Sequence, residues 1–437
     1  MKNKYLVVLI SALLSANSLF GQDTITISKE EILSKIAKGN LQVKIAEKTF
    51  ESAKADYSQS KALFLPNITV SHTAMLTNNP LMAFGSKLNQ EILTQNDFNT
   101  DLLNNPEKID NYATAIEVQQ PIFNMDGVYE RQAAKTKMQA YQLQAERTKE
   151  YIELEVNKAY MQLQLAYSAV KVLEKANATS EASLQMVENY FEQGMLQKTD
   201  LLSVQVRVNE VKNQLQYARS NVKNASDYLA FLLNEEGETV VYKPAEEIAS
   251  DIDVKVFDTS LSESRKDIMA MKLSTEAYEK MFQSSKMKFL PRLNAFGSYQ
   301  LYDDQLFQMG ASGYLIGAQL SWNIFDGYKS IGKMEKQKVE YQKSMVESTQ
   351  YKSQSQLEIN KTNRQLKDAE NKVNLSKLAL EQSREAYRIR SDRFQQGLEK
   401  TTDLLQSETQ MIQKELESLQ AVFEYNFTQK YLEFLTQ

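Results

Sequence analysis

The stretch that decides the fold is Phe191-Glu-Gln-Gly194 followed by Thr199-Asp200-Leu201-Leu202, and it occurs twice in the chain. It returns as Phe394-Gln-Gln-Gly397 followed by Thr402-Asp403-Leu404-Leu405, at a constant offset of 203 residues. Self-similarity at a fixed spacing marks a structural unit that is used more than once. The sequence therefore predicts an internal duplication.

The duplication divides the chain into four segments. Lys2 and Lys4 precede an uncharged, mostly apolar run from Tyr5 to Phe20, which is typical of a secretory signal. We expect residues 1–21 to be this signal peptide and residues 22–237 to be the first repeat, with a helix, two membrane strands and a long coiled-coil hairpin. An acidic periplasmic linker at 238–257 then leads to the second repeat at 258–437.

The repeats are dominated by long helices. Glycine and proline number only 13 and 6, and neither occurs between Gly127 and Gly194 or between Gly332 and Gly397. Apolar residues in these runs alternate steps of four and three, which is the seam of a coiled coil. In the first repeat the sequence predicts helices at about 28–63, 128–193 and 197–233, and Ser28-Lys-Glu-Glu31 is a capping box that starts the first of them.

Composition excludes most catalytic chemistry. The chain contains no cysteine and one histidine, His72. These counts exclude disulfide frameworks, thiolate metal sites and cysteine nucleophiles, and leave little scope for histidine-based catalysis. A formal net charge of −5 argues against nucleic acid as a partner. We therefore expect a protein that is not an enzyme and holds no cofactor or metal.

Between the helices lie four stretches that alternate apolar and polar residues, as β-strands do. The clearest runs from Tyr314 to Ile324. Each is about 10 to 12 residues long, close to the roughly 9 to 11 residues of a tilted transmembrane strand. The connection at about 79–112 is long and is expected outside the cell, whereas its counterpart at about 303–311 is short.

Aromatic residues mark the ends of these strands, which suits a belt at a membrane interface. The residues of this predicted belt are Phe64, Phe123, Phe289, Phe325 and Trp322. A half-buried sheet of a soluble protein shows the same alternation, so the strands alone leave both readings open. The signal peptide and the long helices favour the membrane. Four strands cannot close a spanning barrel, because the smallest contain about eight; three copies of the chain would supply twelve.

The duplicated strand–strand–long helix–return helix pattern resembles the TolC-type outer-membrane efflux proteins, over nearly the whole mature chain. The resemblance implies a mostly α-helical homotrimer with a β membrane part. Its twelve-stranded β-barrel would lie in the lipid of the Gram-negative outer membrane and continue as a long periplasmic α-helical barrel. In that family the tips of the helix hairpins close the channel and dock onto a periplasmic adaptor, which couples to an inner-membrane transporter.

Carried over by position, the two tips are Phe191 to Leu202 and Phe394 to Leu405. Gly194 and Gly397 would end the long helices in left-handed conformations. The resemblance assigns adaptor docking to the tip turns, and the residues concerned are Gly194, Thr199, Leu201, Leu202, Gly397, Thr402, Leu404 and Leu405.

The resemblance also places acidic residues at the periplasmic aperture. Asp403, repeated three times in a trimer, would form a ring there, and Asp200 is its counterpart in the first repeat. The best-known members carry a second acidic residue three positions later, where this chain has Gln406, so a double acidic ring is not expected. A simpler role is also open: each Thr-Asp pair, at 199–200 and 402–403, caps its return helix.

The leading functional hypothesis is a passive exit duct that passes small molecules, such as drugs and toxic compounds, from the adaptor and pump to the exterior. A duct for type I protein secretion has the same sequence features, and so remains an alternative. A periplasmic coiled-coil scaffold that never enters a membrane is the alternative from a different class.

Overall fold

The computed structural model of the protein describes residues 23–235, 240–249 and 257–437, so the predicted signal peptide lies outside the described residues. The helices are α1 (Lys29–Gly39), α2 (Leu41–Gln59), α3 (Pro80–Asn89), α4 (Thr100–Asn104), α5 (Met125–Glu192), α6 (Lys198–Leu233), α7 (Lys266–Met287), α8 (Lys329–Gln395) and α9 (Thr401–Thr436). The strands are β1 (Asp23–Ile27), β2 (Asn67–Thr77), β3 (Ile109–Phe123), β4 (Val240–Pro244), β5 (Arg292–Asp303) and β6 (Ala311–Ser321). Of the helices described, none is both long enough and apolar enough to cross a membrane.

The long hairpins follow the prediction closely, and the opening helix does so in part. Helices α5 and α6 begin and end within three residues of their predicted bounds. The opening segment starts as expected with a capping box, in which the Ser28 N–H donates to Glu31 Oε2 at 2.9 Å. It is not one helix, however, because the chain is extended at Asn40. The Asn40 side chain caps the next helix by accepting the N–H groups of Gln42 and Val43.

The chain forms two compact units. Among the described residues, the first contains those within 1–48, 144–268 and 350–437, and the second contains those within 49–143 and 269–349. Each unit therefore takes segments from both predicted repeats. The repeats are defined by sequence similarity, whereas the compact units are defined by contacts between residues that are distant in the sequence.

The core of the first unit contains the predicted helix seam. Val156 and Leu163 of α5 are buried together with Leu229 of α6. The same cluster contains Tyr242, which belongs to a feature that the sequence did not predict: β4 pairs in parallel with β1. The buried Tyr242 hydroxyl donates to Glu235, so the described part of the linker is packed against the helices.

The second unit contains the four predicted strands, paired in one antiparallel sheet with the order β2-β3-β5-β6. Strands β2 and β6 are the edges of this sheet within the chain. A sheet edge presents a row of unpaired N–H and C=O groups. The four strands are therefore present as predicted, and they form an open sheet in the single chain.

Strand register sorts the side chains of this sheet onto two surfaces, because directly opposed residues of an antiparallel pair point to the same side. We call one the apolar face, after most of its residues; it consists of Ile68, Val70, His72, Ala74, Leu76, Asp110, Tyr112, Thr114, Ile116, Val118, Gln120, Leu293, Ala295, Gly297, Tyr299, Leu301, Asp303, Ser312, Tyr314, Ile316, Ala318 and Leu320. We call the other the polar face; it consists of Asn67, Thr69, Ser71, Thr73, Met75, Thr77, Ile109, Asn111, Ala113, Ala115, Glu117, Gln119, Pro121, Arg292, Asn294, Phe296, Ser298, Gln300, Tyr302, Ala311, Gly313, Leu315, Gly317, Gln319 and Ser321.

Candidate functional site: helix tips and strand faces

Both tip turns contain the predicted left-handed glycine. Gly194 and Gly397 each have φ of +74°. After each glycine the next N–H reaches back into the long helix: Met195 donates to the Tyr190 carbonyl and Leu398 to the Arg393 carbonyl, both at 2.9 Å. This is the Schellman pattern that satisfies the free carbonyls of a helix end. A Cβ at either glycine would have open space around it, so the constraint is the backbone conformation.

Replacing Gly397 with valine tests that constraint. We expect Gly397→Val to destabilise the turn by about 1–3 kcal/mol, because a β-branched residue is strained at positive φ. Gly332→Val is the matched control, since Gly332 lies inside α8 with no positive φ and with open space around it. Thermal unfolding followed by circular dichroism measures both variants. Equal melting temperatures would show that the left-handed turn carries no cost for valine.

The capping residue of the first return helix lies two residues before the predicted cap. Helix α6 starts at Lys198, with Gln197 extended in the capping position. Thr199 therefore lies inside the first turn, and its predicted role as a cap is wrong. Asp200 does serve the helix start, because its Oδ2 accepts the Gln197 N–H at 3.1 Å. A carboxylate in the first turn also favours the positive end of the helix.

The second return helix departs from the prediction in the same way. Helix α9 starts at Thr401, with Lys400 extended before it, so Thr402 lies in the first turn and does not cap the helix. Asp403 is the first acidic residue of this helix. In both return helices the extended capping residue lies two positions before the threonine that the sequence indicated.

Asp403 lies in a charged cluster. Its side chain is 41% exposed, and its Oδ2 lies 3.9 Å from Arg390 Nη1. Arg390 also contacts Glu399 at 3.1 Å, and Arg393 contacts Glu399 at 2.9 Å. Two arginines thus face two carboxylates at this tip. Exposed pairs of this kind contribute little stability, roughly 0–1 kcal/mol, but they neutralise much of the field of Asp403.

The four tip leucines have different environments. Leu404 is buried in a cluster with Val187, Val204 and Phe394, and Leu201 and Leu405 pack against it in part. Leu202 is exposed. The leucine pairs therefore mainly hold the two hairpins together, and only Leu202 offers the surface that docking requires.

Two exposed tip residues were missed by the sequence analysis. Met195 and Leu398, each directly after its glycine, are both 63% exposed. A signal was available in the sequence, because each repeat has an apolar residue in its turn at the equivalent position. They lie beside a contact between the tips, in which the Tyr190 hydroxyl donates to the Gln395 carbonyl at 3.2 Å.

A buried carboxyl group links the hairpins further from the tips. Glu408 of α9 is fully buried and accepts a hydrogen bond from Ser180 of α5. Burial raises the pKa of Glu408, although the Ser180 hydroxyl and the charge of Arg207 oppose the change. Glu408 Oε2 and Arg207 Nε have no hydrogen-bond partner among the described residues. From α8, Tyr387 faces the same carboxyl group, and its own pKa is raised by burial and by Glu408.

This raised pKa gives the packing of the hairpins a pH dependence. The packed state binds the Glu408 proton more tightly than the unfolded state. The contribution of Glu408 to the stability of the packed hairpins is therefore greatest at low pH. It falls as pH rises above 4.5, the ordinary value, and through the raised value. We expect Glu408→Gln to show a weaker fall, because the amide stays neutral. The melting temperature measured between pH 5 and 8 tests this.

The control is Glu417→Gln, an exposed residue of the same helix whose pKa is lowered by Lys414. It titrates below this pH range and should leave the slope unchanged. A Glu408→Gln variant with the same slope as the unmodified protein would contradict the assignment of the pH dependence to Glu408.

The predicted aromatic belt is exposed in the single chain. All five residues, Phe64, Phe123, Phe289, Phe325 and Trp322, present a substantial part of their surface. The Trp322 indole N–H donates to the Phe289 carbonyl at 2.9 Å, which connects the end of β6 to the start of β5. His72 is on the apolar face as expected, where it contacts the Thr114 hydroxyl at 2.9 Å and stacks on Phe307.

Neither the tips nor the sheet contains a metal-binding arrangement. In the described ranges, no three side chains of histidine, cysteine, aspartate or glutamate lie close enough together to hold a metal ion.

Comparisons with solved structures show the fold. VceC, an outer membrane protein of Vibrio cholerae, is 15% identical, with a TM-score of 0.78 over 93% of this chain and 96% of that one. The Campylobacter jejuni CmeC outer membrane channel is 15% identical, with a TM-score of 0.79 over 93% and 85%. The Neisseria gonorrhoeae MtrE outer membrane channel, solved in an open state, is 15% identical, with a TM-score of 0.77 over 93% and 88%.

A search of curated protein sequences finds no significant match. The family model described as outer membrane efflux protein matches residues 32–235 and 259–434, which together are most of the chain. This match covers both predicted repeats and both tip turns. The chain belongs to the outer membrane efflux protein family.

Proposed function

We propose that this protein is the outer-membrane exit duct of a tripartite export system in a Gram-negative cell. It would receive small molecules, such as drugs and toxic compounds, from a periplasmic adaptor and an inner-membrane pump. The observation that carries the proposal is the strand sheet, which has one apolar face, one polar face and two unpaired edges. Such a sheet is suited to separate lipid from water once its edges are paired.

Three copies of the chain can satisfy the unpaired backbone groups of the edge strands. If β6 of each copy pairs with β2 of the next, the three sheets close into a twelve-stranded barrel. Closure matters because each unsatisfied backbone group in hydrocarbon costs several kcal/mol. The apolar face and the aromatic belt then contact outer membrane lipid. The polar face, which includes Glu117, Gln119 and Gln300, then lines a water-filled lumen.

The helix tips supply the periplasmic aperture and the docking surface in this proposal. Asp403 and Asp200, three of each in a trimer, are the proposed aperture residues. The glycine turns present an exposed apolar surface to the adaptor. Met195 and Leu398 belong to this surface in addition to the residues predicted from the sequence. The family's description as efflux proteins supports export, and the open state of the gonococcal relative supports an aperture that can open.

Single-channel conductance in a planar bilayer tests the duct and its aperture together. We expect the purified protein to form channels, and Asp403→Ala to lower cation selectivity because negative charge is lost from the aperture. Arg390→Ala should shift selectivity the opposite way, since it removes the cation beside Asp403.

The control for this pair is Asp227→Ala, an exposed acidic residue of α6 far along the helix from the tip. It should leave the selectivity unchanged. If neither tip variant changes the ion selectivity, Asp403 does not line the aperture, and the proposal of a duct stands. An absence of channels from trimeric protein would contradict the duct and favour the scaffold.

A further inference from the structure

The long connection between β2 and β3 is a folded element. It contains helix α3, which begins with Pro80 in the first position and Asn79 as its cap, the Asn79 side chain accepting the Met82 N–H at 3.3 Å. From within the helix, Lys87 forms an ion pair with Asp97 at 2.7 Å, and Phe84 contacts Phe98 edge to face. The Lys87 ammonium and the Thr94 N–H lower the pKa of Asp97 to about 2, so this pair persists well into the acid range.

Helix α3 is fastened to one particular side of the sheet. The buried Gln90, directly after the helix, places its Nε2 within 3.0 Å of the Asp110 and Asp303 carbonyls and of Asn111 Oδ1. Asn111 and Ala311 belong to the polar face, and both are buried, unlike most residues of this sheet. The helix contacts β3 and β6, the strands that contain these two residues. It therefore lies over the polar face at the end of the sheet.

The opposite side of α3 is apolar and uncovered. Ala83, Ser86 and Gln90 form the buried side of the helix. At 100° per residue, Leu81 and Leu88 lie directly opposite them. These two leucines are 81% and 57% exposed. An apolar side that stays exposed while the opposite side of the helix is packed indicates that a second partner is missing from the single chain.

We propose that α3 of each subunit meets its two copies and forms an apolar constriction at the outer mouth of the duct. The inference rests on the proposed trimer, because closing the barrel makes the polar face the lumen. A helix fixed on that face then directs Leu81 and Leu88 towards the axis, where the copies of the same helix lie. The occupant of the uncovered apolar surface is therefore a second copy of this chain.

Such a constriction restricts the passage of water and ions at the exit without a charged gate. Apolar rings can block a pore by excluding water from it. A twelve-stranded barrel is wider than the eight-stranded barrels that side chains fill, and narrower than the 16-stranded barrels that leave an open aqueous channel. Three inward helices of about 10 Å diameter therefore occupy much of its mouth. Exported molecules would have to part these helices, which places an apolar contact surface at the last step of the path.

Replacing both leucines by serine tests the constriction. We expect Leu81→Ser with Leu88→Ser to raise single-channel conductance by at least about twofold, because polar side chains let water enter the pore. The matched control is Leu306→Ser, a similarly exposed leucine in the connection between β5 and β6. That connection leans to the other side of the sheet, since Phe307 stacks on His72 of the apolar face. The control should conduct like the unmodified protein.

Cross-linking gives a second measurement that does not depend on conductance. Because the chain has no cysteine, Leu88→Cys places one thiol in each subunit. Mild oxidation should link two subunits of the Leu88→Cys variant, and leave the Leu306→Cys variant unlinked. If the serine pair leaves the conductance unchanged and the Leu88→Cys protein stays unlinked, the constriction is wrong, while the proposal of a duct stands. Protein that forms no channel and no trimer would overturn the duct itself.

Discussion

The open edges of the four-stranded sheet are the constraint on which the rest of the structure depends. Strands β2 and β6 each leave one row of backbone groups unpaired within the chain. Water satisfies such groups at the surface of a soluble protein, but hydrocarbon does not, so a membrane location requires copies of the chain to pair. In the proposed duct, oligomer formation, lipid contact and a central lumen would all follow from that single requirement, and the apolar and polar faces match it.

The helix tips combine a rigid turn with a tightly packed interior. The left-handed glycines end the long helices, while Leu404 and Phe394 join the two hairpins in one cluster. The apolar residues that remain outside, Met195 and Leu398, are few and lie at equivalent positions. Further from the tips, Glu408 adds a buried carboxyl group beside Ser180, and burial raises its pKa. If the tips form the proposed aperture, opening it must loosen these contacts, and the buried carboxyl group would make the cost of doing so depend on pH.

Much of the fold was predictable from local patterns. The alternation around Tyr314 gave β6, the glycine-free runs gave α5 and α8, and the Ser28 capping box marked the start of α1. These predictions succeeded because each rests on a periodicity or a cap that a few neighbouring residues determine.

The errors and omissions have identifiable causes. The parallel pairing of β1 with β4 joins segments more than 200 residues apart, so no local pattern reveals it. Glu408 looks like any surface acid in a helix, because its burial depends on Ser180 of another helix. The caps at Thr199 and Thr402 were misplaced because extended residues precede them. Helix α3 had a local signal in Asn79-Pro80, a helix cap followed by proline in the first position, but the sequence was interpreted there only as a long connection.

The most direct test of the account is the chemical accessibility of neighbouring residues on one strand in intact membranes. Val70 and Ser71 lie on opposite faces of β2, and both are exposed in the single chain. Since the chain has no cysteine, Val70→Cys and Ser71→Cys each report one position. We predict that a water-soluble maleimide labels the cysteine at position 71 in the lumen and spares the one at position 70, which faces lipid. Equal labelling of both would contradict the membrane-spanning sheet and the duct.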